Sequence, residues 1–92
     1  MRDWLKALDK VTRHEIGTDI AKVQRMWPVS KPLVDSFGKG LYEVRTRTDA
    51  GIYRVLFCID ETDVVLLHGF MKKTKKTPKH ELDLARKRQS EV

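Results

Sequence analysis

Near the start of the chain, apolar residues recur at helical spacing. Trp4, Leu5 and Leu8 share a face, which predicts a short helix from Arg2 to Leu8, and Asp9-Lys10 interrupts it. Thr12-Arg13-His14-Glu15 fits a capping box, with Thr12 as cap and Glu15 reaching back to it. Ile16, Ile20, Val23 and Trp27 then lie four, three and four residues apart, an apolar stripe of helical period. Gly17 weakens this second helix by about 1 kcal/mol relative to Ala. Pro28 ends it at Trp27 or before. His14, in its first turn, has no partner in the sequence and is expected to be exposed and uninvolved.

Beyond Pro28 the pattern changes. Pro28 to Gly40 reads as a connector, with room for a short extended piece at Leu33–Phe37. Three β-prone runs follow, Leu41–Arg47, Ile52–Ile59 and Val64–Met71, separated by Thr48-Asp49-Ala50-Gly51 and by Asp60–Asp63. Connections this short make neighbouring strands antiparallel, so the middle of the chain predicts a three-stranded meander. Leu82 and Ala85 among charges predict a last, weakly amphipathic helix over Lys79–Gln89, open to fraying. The expected fold is α+β: two N-terminal helices packed on a small antiparallel sheet, a short basic C-terminal helix, and one domain over residues 1–92.

Period-two alternation sorts the strand side chains. Tyr42, Val44 and Thr46 point one way, with Tyr53, Val55, Phe57 and Ile59 beside them; this apolar set suits the face under the N-terminal helices. Glu43, Arg45, Arg47 and Arg54 share the other face, and a four-residue first turn sets Arg45 opposite Arg54 and Arg47 opposite Ile52. Two arginines directly opposite are mildly unfavourable unless something negative lies between them. Glu43 supplies such a charge in the free protein, and a phosphate supplies it in a complex, where the arginine fork binds in bidentate fashion. The alternative is an ordinary Arg–Glu ladder on an exposed sheet face. For the third strand two registers stay open: a four-residue second turn puts His68 on the core face, whereas a bulge or a turn of another length moves His68 and Phe70 to the arginine face.

Composition adds three constraints. The 92 residues carry a formal charge of +6, unevenly placed. Residues 1–70 hold 11 Lys/Arg against 10 Asp/Glu, while residues 71–92 hold 8 against 3. Such asymmetry points to nucleic acid or another anionic partner; a solvated basic tail is the plainer alternative. Cys58 is alone within an apolar run, so it reads as a small core residue and no intrachain disulfide can form. No Cys/His pairs at ligand spacing indicate zinc. No run approaches the ~20 apolar residues of a membrane span, and MRDWLKALDK lacks a signal-peptide core. A soluble, cytoplasmic protein is expected.

Two helices, then GLYEVR, YRVLF, VLLHGFMKKTKKTP and a closing ELDLARKR, resemble the RelE/HigB toxin superfamily, in particular its phage-derived HigB-like branch. The likeness runs from RDWLKAL to the end, and HGF-x-KKT-x-KTP is its most specific part. The resemblance implies the toxin of a type II toxin–antitoxin pair: an endoribonuclease that cuts mRNA in the ribosomal A site without metal or cofactor and is neutralised by a HigA-like helix-turn-helix antitoxin. In such a reaction the ribose 2′-hydroxyl attacks the adjacent phosphate, and cationic side chains stabilise the charge that builds up. By position, Arg54 matches the essential arginine of the middle strand, while Lys72 and Lys73, with Lys75 and Lys76 close by, match the basic end of the last strand. His68 and Glu43 are candidates for proton transfer, since no tyrosine lies in the last 39 residues. Arg45, Arg47, Lys75, Lys76, Lys79 and Arg86 are the expected RNA contacts. Members usually begin with a β-strand before the RDWL-like helix, whereas this chain starts at the helix, so an unpaired sheet edge is expected. An upstream start, a decayed relative and a strand supplied by a partner are all compatible with that difference. The rival from another class is a non-catalytic protein whose basic residues bind RNA or an acidic antitoxin.

Overall fold

The computed structural model describes residues 2–29, 31–72 and 76–92. Its elements are α1 (Arg2–Ala7), α2 (Lys10–Met26), β1 (Val34–Gly38), β2 (Leu41–Thr48), β3 (Gly51–Asp60), β4 (Asp63–Lys72) and α3 (Lys79–Gln89). The four strands form one antiparallel sheet in the order β1-β2-β3-β4. The α+β class is as expected, with one strand more than the predicted meander. The extended piece after Pro32 becomes β1, because Val34 has a place in the core and Val34, Asp35 and Ser36 pair with β2.

Helices α1 and α2 cover one face. Ile16 and Val23 of α2 pack on Val34, Val44, Val55 and Phe57, with Trp4, Leu5, Ile20 and Trp27 around them. Trp27 sets its ring edge-on to Tyr42 and Phe57, at centroid distances of 4.7 and 5.7 Å, a geometry aromatic quadrupoles favour. Trp4 lies directly over Gly69, where an added Cβ would fall 2.4 Å from a ring carbon. Glycine at that point therefore lets α1 reach the sheet.

The other face carries a second core, Leu41, Leu56, Cys58, Leu67, Phe70 and Ala85, closed by α3 with Leu82. The last helix is thus docked rather than frayed: Arg86 donates to the Phe37 and Gly38 carbonyls at 2.9 and 3.0 Å, and Gln89 donates to that of Lys39 at 3.0 Å. Gly38, Lys39 and Gly40 all have positive φ, the tight turn that points these carbonyls at α3.

Two further expectations are corrected, and the open choice of register in the last strand is decided. No capping box forms, because α2 starts two residues before Thr12: Asp9 is the cap residue, without a side-chain cap bond, and Thr12 is buried inside the helix. Both hairpin loops hold two residues rather than four, Asp49-Ala50 and Glu61-Thr62, although Arg47 still faces Ile52 and Arg45 still faces Arg54. In β4, a bulge between the Leu56↔His68 and Phe57↔Leu66 pairs leaves Leu67 as the extra residue. Val65 and Leu66 obey the simple register; beyond the bulge every side chain is flipped, so His68 and Phe70 join the arginine face.

Candidate functional site

β1 is short, and its pairing with β2 stops at Val34↔Val44, save for one bond from the Arg45 N–H to the Leu33 carbonyl (3.0 Å). From there to Thr48 the outer edge of β2 has no neighbouring strand among the described residues. A cleft of about 350 Å³ opens here, lined by Arg45, Arg47, Ile52 and Arg54 of the sheet, Pro32 and Leu33 of the connector, and Asp19 of α2. Because Asp19 comes from the helix side and the arginines from the other, the cleft wraps around the edge of β2.

Arg54 and Glu43 form the fixed centre. Glu43 is fully buried and Arg54 is 7% exposed, and Arg54 Nη1 donates to Glu43 Oε1. A buried guanidinium is tolerated only with such a counter-charge. Arg45, directly opposite, places its Nε 3.6 Å from the same carboxylate oxygen and its Nη2 2.7 Å from Asp35 Oδ2. The expected repulsion across the pair is therefore met by two carboxylates, Glu43 and Asp35. The Nε groups of Arg45 and Arg54 are buried with no hydrogen-bond partner among the described residues. Such orphan donors are costly, and an anion in the cleft is one way to satisfy them. Arg47 is exposed and makes no ion pair among the described residues.

Described residues on either side of the basic run meet this group. Lys72 closes β4 opposite the cleft residue Ile52. On the other side of the run, the Thr77 hydroxyl donates to Glu43 Oε2, so one carboxylate ties together Arg54 and the end of the lysine segment. Lys73 and Lys75 lie outside the described residues, as does the side chain of Lys72. Lys76 is exposed.

The remaining expected site residues are elsewhere. His68 shares the arginine face but points at α3: its Nε2 is 3.0 Å from Glu81 Oε1, its Nδ1 is 3.3 Å from Arg88, and its ring stacks on Phe70. Arg88 also donates to the carbonyl of the bulge residue Leu67 at 2.8 Å. Arg86 is engaged with the β1–β2 turn, and Lys79 is 90% exposed, 3.7 Å from Asp83. Cleft and counter-charges include three residues that the sequence reading passed over: Asp19, Asp35 and Thr77. Asp19 and Asp35 depend on how helix and connector cross the sheet, which no local pattern encodes. Thr77 stood in view beside the lysines; only the side chain it reaches was hidden. Among the described residues no three His, Cys, Asp or Glu side chains gather to hold a metal ion, and no helix is long and apolar enough to cross a membrane.

Fold and cleft together define a small α+β protein that sets an arginine cluster at a sheet edge, beside a basic segment. The family model described as phage derived protein Gp49-like (DUF891) matches residues 3–90, and the chain belongs to that family, one of the RelE/Gp49 toxin type. Membership associates it with the toxins of toxin–antitoxin systems, and so with an antitoxin partner. No curated protein matches the chain.

Proposed function

We propose that the protein is a HigB-like mRNA endonuclease that acts on messages in the ribosome and is restrained by a HigA-like helix-turn-helix antitoxin. The observation that carries this reading is the cleft itself: Arg45, Arg47 and Arg54 line one space of about 350 Å³, and Glu43 holds Arg54 before any substrate arrives. Electrostatic stabilisation of a phosphorane-like transition state needs this kind of preorganised positive charge. Arg54 is the stabilising group. Arg45 and Arg47 hold flanking phosphates, and Lys72, Lys73, Lys75 and Lys76 hold RNA beside them, with Lys79 at the margin. Glu43, buried and paired, acts by positioning Arg54 rather than by exchanging protons with substrate.

The test is induction in a bacterial host without antitoxin, with mRNA 5′ ends mapped for wild type and Arg54→Ala. Growth arrest with new cuts in translated messages, both lost in the variant, is the expected result. A folded wild-type protein that accumulates without arrest or cuts refutes the nuclease. It would favour the second reading, a protein that binds RNA or an acidic antitoxin without cutting, for which the low exposure of Arg54 speaks.

A further inference from the structure

Internal attack on a phosphodiester requires a group to take the proton of the 2′-hydroxyl, and the sequence offered His68 and Glu43. Both are occupied. Glu43 is fully buried, with one oxygen on Arg54 and the other on Thr77. Both ring nitrogens of His68 face α3 partners, Glu81 and Arg88. Asp35 is bound to Arg45, to its neighbour's amide at Ser36 and, more loosely, to Lys31. Asp19 is the one carboxylate among the residues lining the arginine cleft. Its Oδ2 accepts the hydroxyl of Thr46 at 2.8 Å, and Thr46 is itself buried on β2, so the rotamer is fixed from the sheet. Its Oδ1 carries no hydrogen bond among the described residues.

We propose that Asp19 is the proton acceptor of the reaction, with Thr46 as its positioning residue; this rests on the endonuclease reading above. A nucleotide whose scissile phosphate meets Arg54 and Arg45 lies in a cleft that Asp19 also lines. The 2′-hydroxyl gives its proton to Asp19 Oδ1 as the 2′-oxygen bonds to phosphorus. The P–O5′ bond then breaks, its electron pair goes to the 5′-oxygen, and that oxygen takes a proton from water. The products are a 2′,3′-cyclic phosphate and a 5′-hydroxyl, and Asp19 returns its proton to solvent, so nothing further is consumed. An acid–base role of this kind is worth about 10²–10⁴-fold in rate.

The experiment is single-turnover cleavage by the purified full chain on ribosomes programmed with a short mRNA and an empty A site. Asp19→Asn can still accept the Thr46 hydroxyl, so it keeps the helix–sheet link while losing the base. The expected results are a drop of about 100-fold or more in the cleavage rate for Asp19→Asn, with mRNA-ribosome binding little changed, and partial rescue of Asp19→Ala by added acetate. Thr46→Val, which removes the link but leaves the carboxylate, should lose much less, and Thr46→Ser should recover it. An Asp19→Asn protein as fast as wild type, beside an inactive Arg54→Ala, overturns the assignment and leaves the endonuclease standing. So does a change of cut sequence at undiminished rate, which would make Asp19 a base reader, or a Thr46→Val loss equal to that of Asp19→Asn, which would make it an anchor. A folded wild type that does not cleave overturns both readings.

Discussion

Glu43 is the residue on which the arginine cleft depends. It is an acidic side chain in the interior, and only its partners make that tolerable: Arg54 on one oxygen and Thr77 on the other. Removing its charge leaves Arg54 buried without compensation, a situation that typically costs about 3–5 kcal/mol. Glu43→Gln should therefore lower the denaturation midpoint markedly, whereas Glu43→Leu combined with Arg54→Met should restore much of the loss; chemical denaturation of the three proteins makes the comparison. Equal stability in wild type and Glu43→Gln would mean that the pair is not the buried anchor described. Cys58 gives a second test at this scale. Burial first, and the nearby charge of Asp60 second, raise its thiol pKa. A raised folded-state value favours the protonated form, so its contribution to stability is complete below the ordinary thiol range and fades as pH climbs through the raised value. The prediction is an alkaline loss of stability that Cys58→Ala lacks, together with slow thiol labelling of the native protein compared with the denatured one.

At the scale of elements, β4 shows where sequence reasoning stops. The helices, the two hairpins and the Arg45/Arg54 register were legible, because periodicity and short connections determine them. The bulge at Leu67 was only one of the open alternatives, since a one-residue slip is decided by packing on both faces at once. Leu67 sits in the second core, and α3 clamps its carbonyl through Arg88, contacts that do not show in the local pattern of VLLHGF. The same reasoning explains why α3 looked weak: its apolar content is small, and carbonyls of the β1–β2 turn hold it instead. Deleting Leu67 should give a regular ladder that keeps His68 and Phe70 on the arginine face, but it removes a side chain of the second core and the carbonyl that Arg88 holds, and so should loosen α3. Hydrogen exchange should then show loss of protection over residues 79–89, while α2 stays protected; unchanged protection of α3 would contradict the clamp at the bulge. Gly69→Ala tests the neighbouring contact. Its Cβ would collide with Trp4, an overpacking cost of typically 1–3 kcal/mol. For a domain of this size that is roughly 4–8 °C of Tm per kcal/mol.

The whole molecule is layered, with helices α1 and α2 on one side of the sheet and α3 on the other, and its function is proposed for the arginine cleft at the edge of β2. The sequence showed the charge asymmetry that places five of the six net positive charges in residues 71–92. It did not show that Thr77, just past the lysines, bonds to the carboxylate that holds Arg54, because that link spans 34 residues of sequence. Basic residues of the two regions are thus expected to act as one surface. RNA affinity should fall with a steep log–log dependence on salt, and charge-neutralising replacement of Lys75 or Lys76 should each reduce the slope by somewhat under one unit. A slope unchanged by either replacement would separate the lysine run from RNA binding. Arg54 is proposed to stabilise the transition state rather than only to bind RNA. The direct measurement is the single-turnover rate of mRNA cleavage on programmed ribosomes for wild type and Arg54→Lys, with binding measured in parallel and folding checked for both. Lysine keeps the charge but not the fork that Glu43 orients, so the account predicts a rate lower by 10²-fold or more with affinity nearly unchanged. Equal rates, or a loss found entirely in affinity, would contradict it.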